Sequence, residues 1–388
     1  MYKILCLNKI SPTGTKRFGE SYTFSPEMKD PDGILVRSAS MHDMELPESL
    51  LAIARAGAGT NNIPSEDCAK KGVAVFNTPG ANANAVKELV LCALLLSSRK
   101  IPAAMDWVKT LKGQGAEVSK LVEKGKGQFA GPEIQGKSLG VVGLGAIGIL
   151  VANAAHSLGM DVYGYDPYLS VDAAWRLSRS VHRSMSLDEI YQSCDYITLH
   201  LPATKDTKGM INAETLGKMR DGVRLMNFAR GELVDTAALL SALESGKCAA
   251  YATDFPAGEM LGNENVIPLP HLGASTPESE DNCAVMAVDQ IKEYIENGNI
   301  INSVNLPNLS MAREPGTRRI CVIHKNVPGA IADFTSVCGK AGINIENMQS
   351  KSRGDYAYTV LDVTGSDIAP AARELSTLEA NIRVRVID

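Results

Sequence analysis

The chain lacks most of what would mark a secreted, membrane-bound or polyanion-binding protein. Its eight cysteines, Cys6, Cys68, Cys92, Cys194, Cys248, Cys283, Cys321 and Cys338, are scattered with no CxxC pair, which argues against a zinc site or a disulfide framework and predicts reduced, mostly buried thiols. No metal ligand set is expected. Lysines and arginines never form a run long enough to track a phosphate backbone, and the net charge is −5, so nucleic acid is not an expected partner. No apolar stretch reaches membrane-spanning length, and MYKILCLNKI runs straight into an alternating strand pattern without a cleavage site. The expectation is a cytoplasmic protein with no membrane partner.

What is present is a globular composition. Apolar residues make up 45% of the 388 and charged residues 21%, and a chain of this length suggests two or three domains. Short β-branched runs at 4–7, 33–37, 51–55 and 73–76 alternate with helical patterns, which implies a parallel sheet with crossover helices. AVKELVLCALLLS, residues 85–97, is apolar nearly all round, as expected of a helix buried between domains or subunits. Residues 113–137, rich in Gly and Lys, read as a surface connection. Strands at 138–142, 161–165, 195–199, 223–227 and 249–254 then alternate with helices, the layout of a doubly wound nucleotide-binding domain. A long amphipathic pattern at 277–297 returns the chain to the first domain. The expected fold is α/β: a discontinuous substrate-binding domain (1–98 and 280–312), a Rossmann domain (99–279) with the cleft between them, and a C-terminal unit (317–388) of βαββαβ, ferredoxin-like order. Such a unit, with helices on only one face and exposed edge strands, tends to pair with another copy, so a homodimer or homotetramer is expected.

Gly143-Leu144-Gly145-Ala146-Ile147-Gly148 follows the apolar strand LGVV and opens a helix. Glycines there allow a tight turn and the close approach of backbone to a pyrophosphate, which sits on the positive end of the helix. Asp166 ends the next strand, where a carboxylate accepts hydrogen bonds from ribose hydroxyls and repels a 2′-phosphate, favouring NAD over NADP. The alternative is a plain chain turn with a capping aspartate.

Three further segments each follow a strand of that domain: Arg230 in NFARGELVD, Glu259 in TDFPAGEM, and His271 in LPHLGAST. An arginine fork can hold a 2-hydroxy acid by its carboxylate, a histidine can take the hydroxyl proton near neutral pH, and a carboxylate can fix the imidazole tautomer. Taken singly, Arg230 reads equally as an ion-pair partner, Glu259 as a solvated loop residue and His271 as a satisfied loop histidine. Their joint order is what points to hydride transfer.

GLGAIG, NFARGELVDTAAL and NVIPLPHLGAST resemble the signatures of the D-isomer-specific 2-hydroxyacid dehydrogenases over roughly the first 310 residues. The resemblance implies that Arg230 binds substrate, that Glu259 pairs with His271, and that His271 is the general acid/base. It implies cofactor contacts from Thr78, Gly143, Gly145, Ala146, Ile147, Gly148, Asp166, Leu201, Pro202, Phe228, Ala229, Asp254, Gly273 and Ala274. Gly57, Ala58 and Gly59, after Arg55, resemble the loop whose backbone N–H groups receive the substrate carboxylate, and Arg55 and Arg37 are candidates for a substrate phosphate. Two departures stand out: Ala146 replaces a common Arg, and the loop usually like DVFxxEP reads DFPAGEM.

The tail, RRICVIHKNVPGAIADFTSVCGKAGINIENM, resembles an ACT domain, a module that binds amino acids at a paired interface. His324, Asn326 and Asn344 match positions that hold serine in relatives acting on 3-phosphoglycerate. By this resemblance the reaction is NAD-dependent oxidation of 3-phospho-D-glycerate to 3-phosphohydroxypyruvate, the first step of serine biosynthesis, with L-serine as feedback effector. The alternatives are a hydroxypyruvate/glyoxylate reductase, an NAD-binding corepressor-like scaffold, and a tail that only dimerises.

Overall fold

A computed structural model describes residues 1–365 and 367–388. The chain divides into two compact units, Met1–Asn82 with Pro277–Asp388, and Ala83–Thr276.

The first unit is built on a five-stranded parallel sheet of order β2-β1-β3-β4-β5, from β1 (Tyr2–Cys6), β2 (Tyr22–Ser25), β3 (Gly33–Val36), β4 (Ala52–Arg55) and β5 (Ala74–Phe76). β3 and β5 are buried throughout, as strands covered on both faces must be. The helix Pro277–Asn297 lays Ala287, Val288, Ile291 and Ile295 into the same core as Ile4, Leu35 and Phe76.

The second unit is a seven-stranded parallel sheet from β6 (Ser138–Val142), β7 (Asp161–Tyr165), β8 (His182–Arg183), β9 (Tyr196–Leu199), β10 (Val223–Asn227), β11 (Cys248–Thr253) and β12 (Val266–Pro268). Its order is β12-β11-β10-β9-β6-β7-β8, so the winding reverses between β6 and β9. A crevice outside the carboxyl ends of strands at such a switch point is where open α/β sheets bind ligands.

One boundary differs from the sequence expectation. The helix Ala83–Ser98 was expected in the first domain; instead Val86, Val90 and Leu94 share a core with Val141, Ile149 and Met226, which places it in the second unit. The segment 113–137 lies at the surface as expected, and it contains a helix, Val118–Gly125, none of whose residues is buried.

The C-terminal part is the expected four-stranded antiparallel sheet, of order β14-β15-β13-β16, from β13 (Arg318–Lys325), β14 (Asn344–Arg353), β15 (Tyr356–Thr364) and β16 (Asn381–Ile387). Helices Ala330–Lys340 and Ala369–Thr377 cover one face, burying Ile320, Val322, Phe334, Val337, Leu361 and Leu375. The helices lie on one face only, as expected, and the other face is packed as well. Cys321, Ile323, Tyr358 and Val360 join Phe76, Tyr294 and Ile295 in the core of the first unit. The Tyr358 hydroxyl donates to the Gly298 carbonyl, and the Arg385 guanidinium donates to those of Tyr294 and Ile295. The edge strand β14 remains largely exposed.

Candidate active site

In the second unit the glycine-rich turn leaves β6 at the switch point. Gly143 has φ +93°, and a Cβ there would lie 2.6 Å from the His200 carbonyl oxygen, so only glycine fits. Around Gly145 nothing lies within 4 Å of where a Cβ would be, which leaves open space at the start of the helix Ala146–Ser157. That helix has no acidic residue of its own in its first turn, which leaves its unpaired N–H groups and positive end available to an anion. Asp166 accepts from the Leu144 N–H (2.9 Å) and the Tyr168 N–H (2.8 Å), which ties the carboxylate to the turn.

Arg230, Asp254 and His271 follow β10, β11 and β12, three neighbouring strands, at their carboxyl ends. Arg230 is held by a residue that the sequence reading passed over. Asn227 is fully buried; its Oδ1 accepts from the Ala229 and Arg230 N–H groups, while its Nδ2 donates to the Arg230 carbonyl and the Tyr251 hydroxyl. A buried amide bonded in this way fixes the loop that follows it. The Thr253 hydroxyl donates to the Asn227 carbonyl (2.9 Å) and accepts from the Phe255 N–H (3.0 Å), so the β10 and β11 loops share one anchor.

Asp254 is 2% exposed; its Oδ2 accepts from the Gly273 N–H (3.2 Å) and its Oδ1 has no partner among the described residues. Burial raises its pKa above the usual carboxylate value, partly countered by the Gly273 N–H and by the charge of His271. An unsatisfied buried acceptor at the carboxyl edge of the sheet that carries the glycine turn fits an amide donor of a bound ligand, as a nicotinamide would supply. His271 is exposed, with its ring 4.7 Å from that of Phe255 at 50°. Glu259 is exposed on the turn Gly258–Met260, and no hydrogen bond or ion pair joins it to His271. The expected carboxylate–imidazole pair is therefore not formed here, because the loop holds the Glu259 side chain in solvent. Of the other expected cofactor residues, Phe228 is buried, and Leu201, Ala229 and Ala274 are half-buried beyond the ends of β9, β10 and β12. Pro202 is exposed after β9, and its carbonyl accepts from Thr207.

In the first unit, the loop after β4 folds back through the Gly57 N–H to the Arg55 carbonyl, and the Ala58 carbonyl accepts from Asn77. The Arg55 Nε donates to the Arg37 carbonyl, and its guanidinium lies over Gly57. Arg37 forms an ion pair with Glu280 (2.7 Å), so its charge is already compensated. Thr78 is fully buried with its hydroxyl unpartnered among the described residues.

In the tail, His324 does not face a ligand. It is 3% exposed, its ring nitrogens bond to the Lys325 carbonyl and the Thr359 hydroxyl, it packs edge-on against Phe334, and burial lowers its pKa. Asn326, bonded to the Gly354 carbonyl, and Asn344, bonded to Glu346, are both exposed. They sit at opposite ends of β15: Asn326 beside Asp355, and Asn344 opposite Thr364. At about 3.4 Å per residue the two ends are roughly 25–30 Å apart.

The model of the D-isomer specific 2-hydroxyacid dehydrogenase NAD-binding domain matches residues 91–273, and that of the ACT domain matches residues 319–380. A D-3-phosphoglycerate dehydrogenase of Haemophilus influenzae is 33% identical over 374 residues, covering 93% of this chain and 87% of that protein. The chain belongs to the D-3-phosphoglycerate dehydrogenase family. The human D-3-phosphoglycerate dehydrogenase is 35% identical over 327 residues, 81% of this chain but 59% of that longer protein. Among solved structures, the NAD+-bound 3-phosphoglycerate dehydrogenase of Entamoeba histolytica superposes with a TM-score of 0.61 at 27% identity, covering 79% of this chain and 99% of that one. As a family member, the chain carries an NAD-binding Rossmann domain and an ACT domain, and no described helix is long and apolar enough to cross a membrane.

Proposed function

We propose that the protein oxidises 3-phospho-D-glycerate to 3-phosphohydroxypyruvate, the entry reaction of serine biosynthesis. NAD, when bound, accepts the hydride from C2. Arg230 holds the substrate carboxylate and polarises the oxygen at C2, while His271 removes the C2 hydroxyl proton. The loop Arg55–Gly59 offers backbone N–H groups and a guanidinium to the anionic substrate, Thr78 contacts the cofactor, and Asp166 accepts from the adenosine ribose. The observation that carries this reading is the placement of Arg230, Asp254 and His271 at the carboxyl ends of three adjacent strands, on the same sheet edge as a glycine turn with open space at Gly145.

The test is NADH formation by the purified protein. Turnover of 3-phosphoglycerate is expected, with a loss of about 10²–10⁴ in kcat for His271→Ala, the usual worth of a general base. Turnover of glycerate or lactate but not of 3-phosphoglycerate would move the assignment to a hydroxypyruvate/glyoxylate reductase.

The tail is read as an L-serine site shared by two copies. One copy holds Asn326 and Asn344 at opposite sheet ends, but antiparallel pairing of two β14 edges sets the start of one strand beside the end of the other. Asn326 of one protomer then meets Asn344 of its partner, which supports a homodimer or homotetramer. Calorimetric titration with L-serine is expected to give saturable binding that Asn344→Ala abolishes. Eight free cysteines fit a reducing cytoplasm.

A further inference from the structure

We propose that Phe255 is the positioning residue for the His271 imidazole, an inference that rests on His271 being the acid/base of the reaction proposed above. Among the described residues, neither ring nitrogen of His271 has a hydrogen-bond partner, and Glu259 stands apart in solvent. The contact that orients the imidazole is the Phe255 ring, 4.7 Å away and tilted by 50°. Tilted aromatic pairs of this spacing have a preferred geometry, and a half-buried phenyl ring denies the imidazole part of its rotamer space.

Phe255 is itself held firmly. Its N–H donates to the buried Thr253 hydroxyl, which in turn donates to the carbonyl of buried Asn227. A Cβ on Gly231 would lie 3.3 Å from the Phe255 Cβ, so the loop that carries Arg230 lies against the same residue. Phe255 therefore touches both the arginine loop, through its Cβ, and the imidazole, through its ring. It stands one residue after Asp254, at the position of the valine in the pattern DVFxxEP that this loop resembles.

Steady-state kinetics on Phe255→Ala, Phe255→Leu and Phe255→Tyr test this. Misplacement of a catalytic group by about 1 Å costs on the order of 10²-fold, so Phe255→Ala is expected to lower kcat by about 10- to 100-fold while KM for substrate and NAD changes by less than about threefold. Phe255→Tyr keeps the ring and should restore most of kcat, with Phe255→Leu falling between. An alanine variant that retains kcat within about twofold, or whose loss lies mainly in KM, would overturn the proposal, as would a tyrosine variant no better than alanine. If Phe255→Ala loses NAD binding or melts early, the leucine–tyrosine difference decides in its place. His271→Ala, measured alongside, separates the two claims: an active His271→Ala sinks the functional reading, whereas an inactive one with a fully active Phe255→Ala sinks only the role of Phe255.

Discussion

Replacing Arg319 by Met should loosen the tail from the rest of the first unit, and the structure sets the size of the effect. Arg319 and Asp362 are both 0% exposed and meet as a bidentate pair, Nε to Oδ1 at 2.6 Å and Nη2 to Oδ2 at 2.8 Å. The remaining guanidinium hydrogens go to the carbonyls of Asn297 (2.7 Å), Met311 (3.0 Å) and Ala312 (3.1 Å), so one side chain satisfies the end of the long helix, the linker and a β15 carboxylate. Removing one partner of a buried pair costs about 3–5 kcal/mol, because the other charge is left without compensation. In a unit of 150–250 residues each kcal/mol moves Tm by about 2–4 °C, so the first-unit transition should fall by about 6–20 °C. Differential scanning calorimetry of Arg319→Met, Asp362→Leu and the double variant measures it, with hydrogen exchange at 297–312 as the local readout. The double variant should be more stable than either single one, since the uncompensated charge is gone. A single substitution costing less than about 1 kcal/mol, or a double variant as unstable as the two singles summed, would refute the reasoning.

Gln290 is 6% exposed and neither of its side-chain amide atoms has a partner among the described residues, so Gln290→Met should raise stability by about 1–2 kcal/mol in calorimetry. The His200 ring bonds to Thr198 through Nε2, its Nδ1 is buried without a partner among the described residues, and burial pushes its pKa down to about 3. Its folded value is depressed, so its contribution is fully present above the unfolded value near 6.5 and is lost as pH falls toward 3. Urea unfolding from pH 6 to 4 should lose about 1.4 kcal/mol per pH unit from this group, a slope absent in His200→Asn. Asp166→Ala removes the acceptor for a ribose and the tie to the Leu144 and Tyr168 N–H groups, so NAD affinity should drop about 10- to 100-fold while the preference over NADP narrows, as measured by fluorescence titration.

How much was legible in the sequence follows from which residues act locally. Gly143, Gly148, Asp166, Arg230 and His271 stand out because glycine geometry, a carboxylate after a strand and a guanidinium each have chemistry that few other residues supply. Asn227 and Thr253 do not, because their role exists only once β10 and β11 are paired and a buried amide bonds across the ladder. β8, two exposed polar residues at a sheet edge, carries no hydrophobic signal at all. His324 was misread although a signal was available: strand alternation puts it on the side of Ile320 and Val322, facing the helices. The same strand carried a second unused signal. Ile320-Cys321-Val322-Ile323 is apolar at every position, the mark of a strand covered on both faces rather than one left bare for a second copy.

That doubly covered strand bears on how the tail works. The helix Pro277–Asn297 has no basic residue in its last turn, so its final carbonyls and the negative end of its dipole lack the cations that usually stabilise a C-terminus. The tail supplies them: Arg385 to Tyr294 and Ile295, stacked on the Tyr294 ring at 4.6 Å, Arg319 to Asn297, and the Tyr358 hydroxyl to Gly298. Three tail strands thus complete the capping of one helix in the dehydrogenase portion. Because these are charge-assisted or fully buried bonds, a ligand that shifts β13, β15 or β16 must either break them at a cost of several kcal/mol or carry the helix end along. The second course is the cheaper one for sub-ångström shifts, and it makes the helix, rather than the linker alone, the element through which the tail acts on the rest of the first unit.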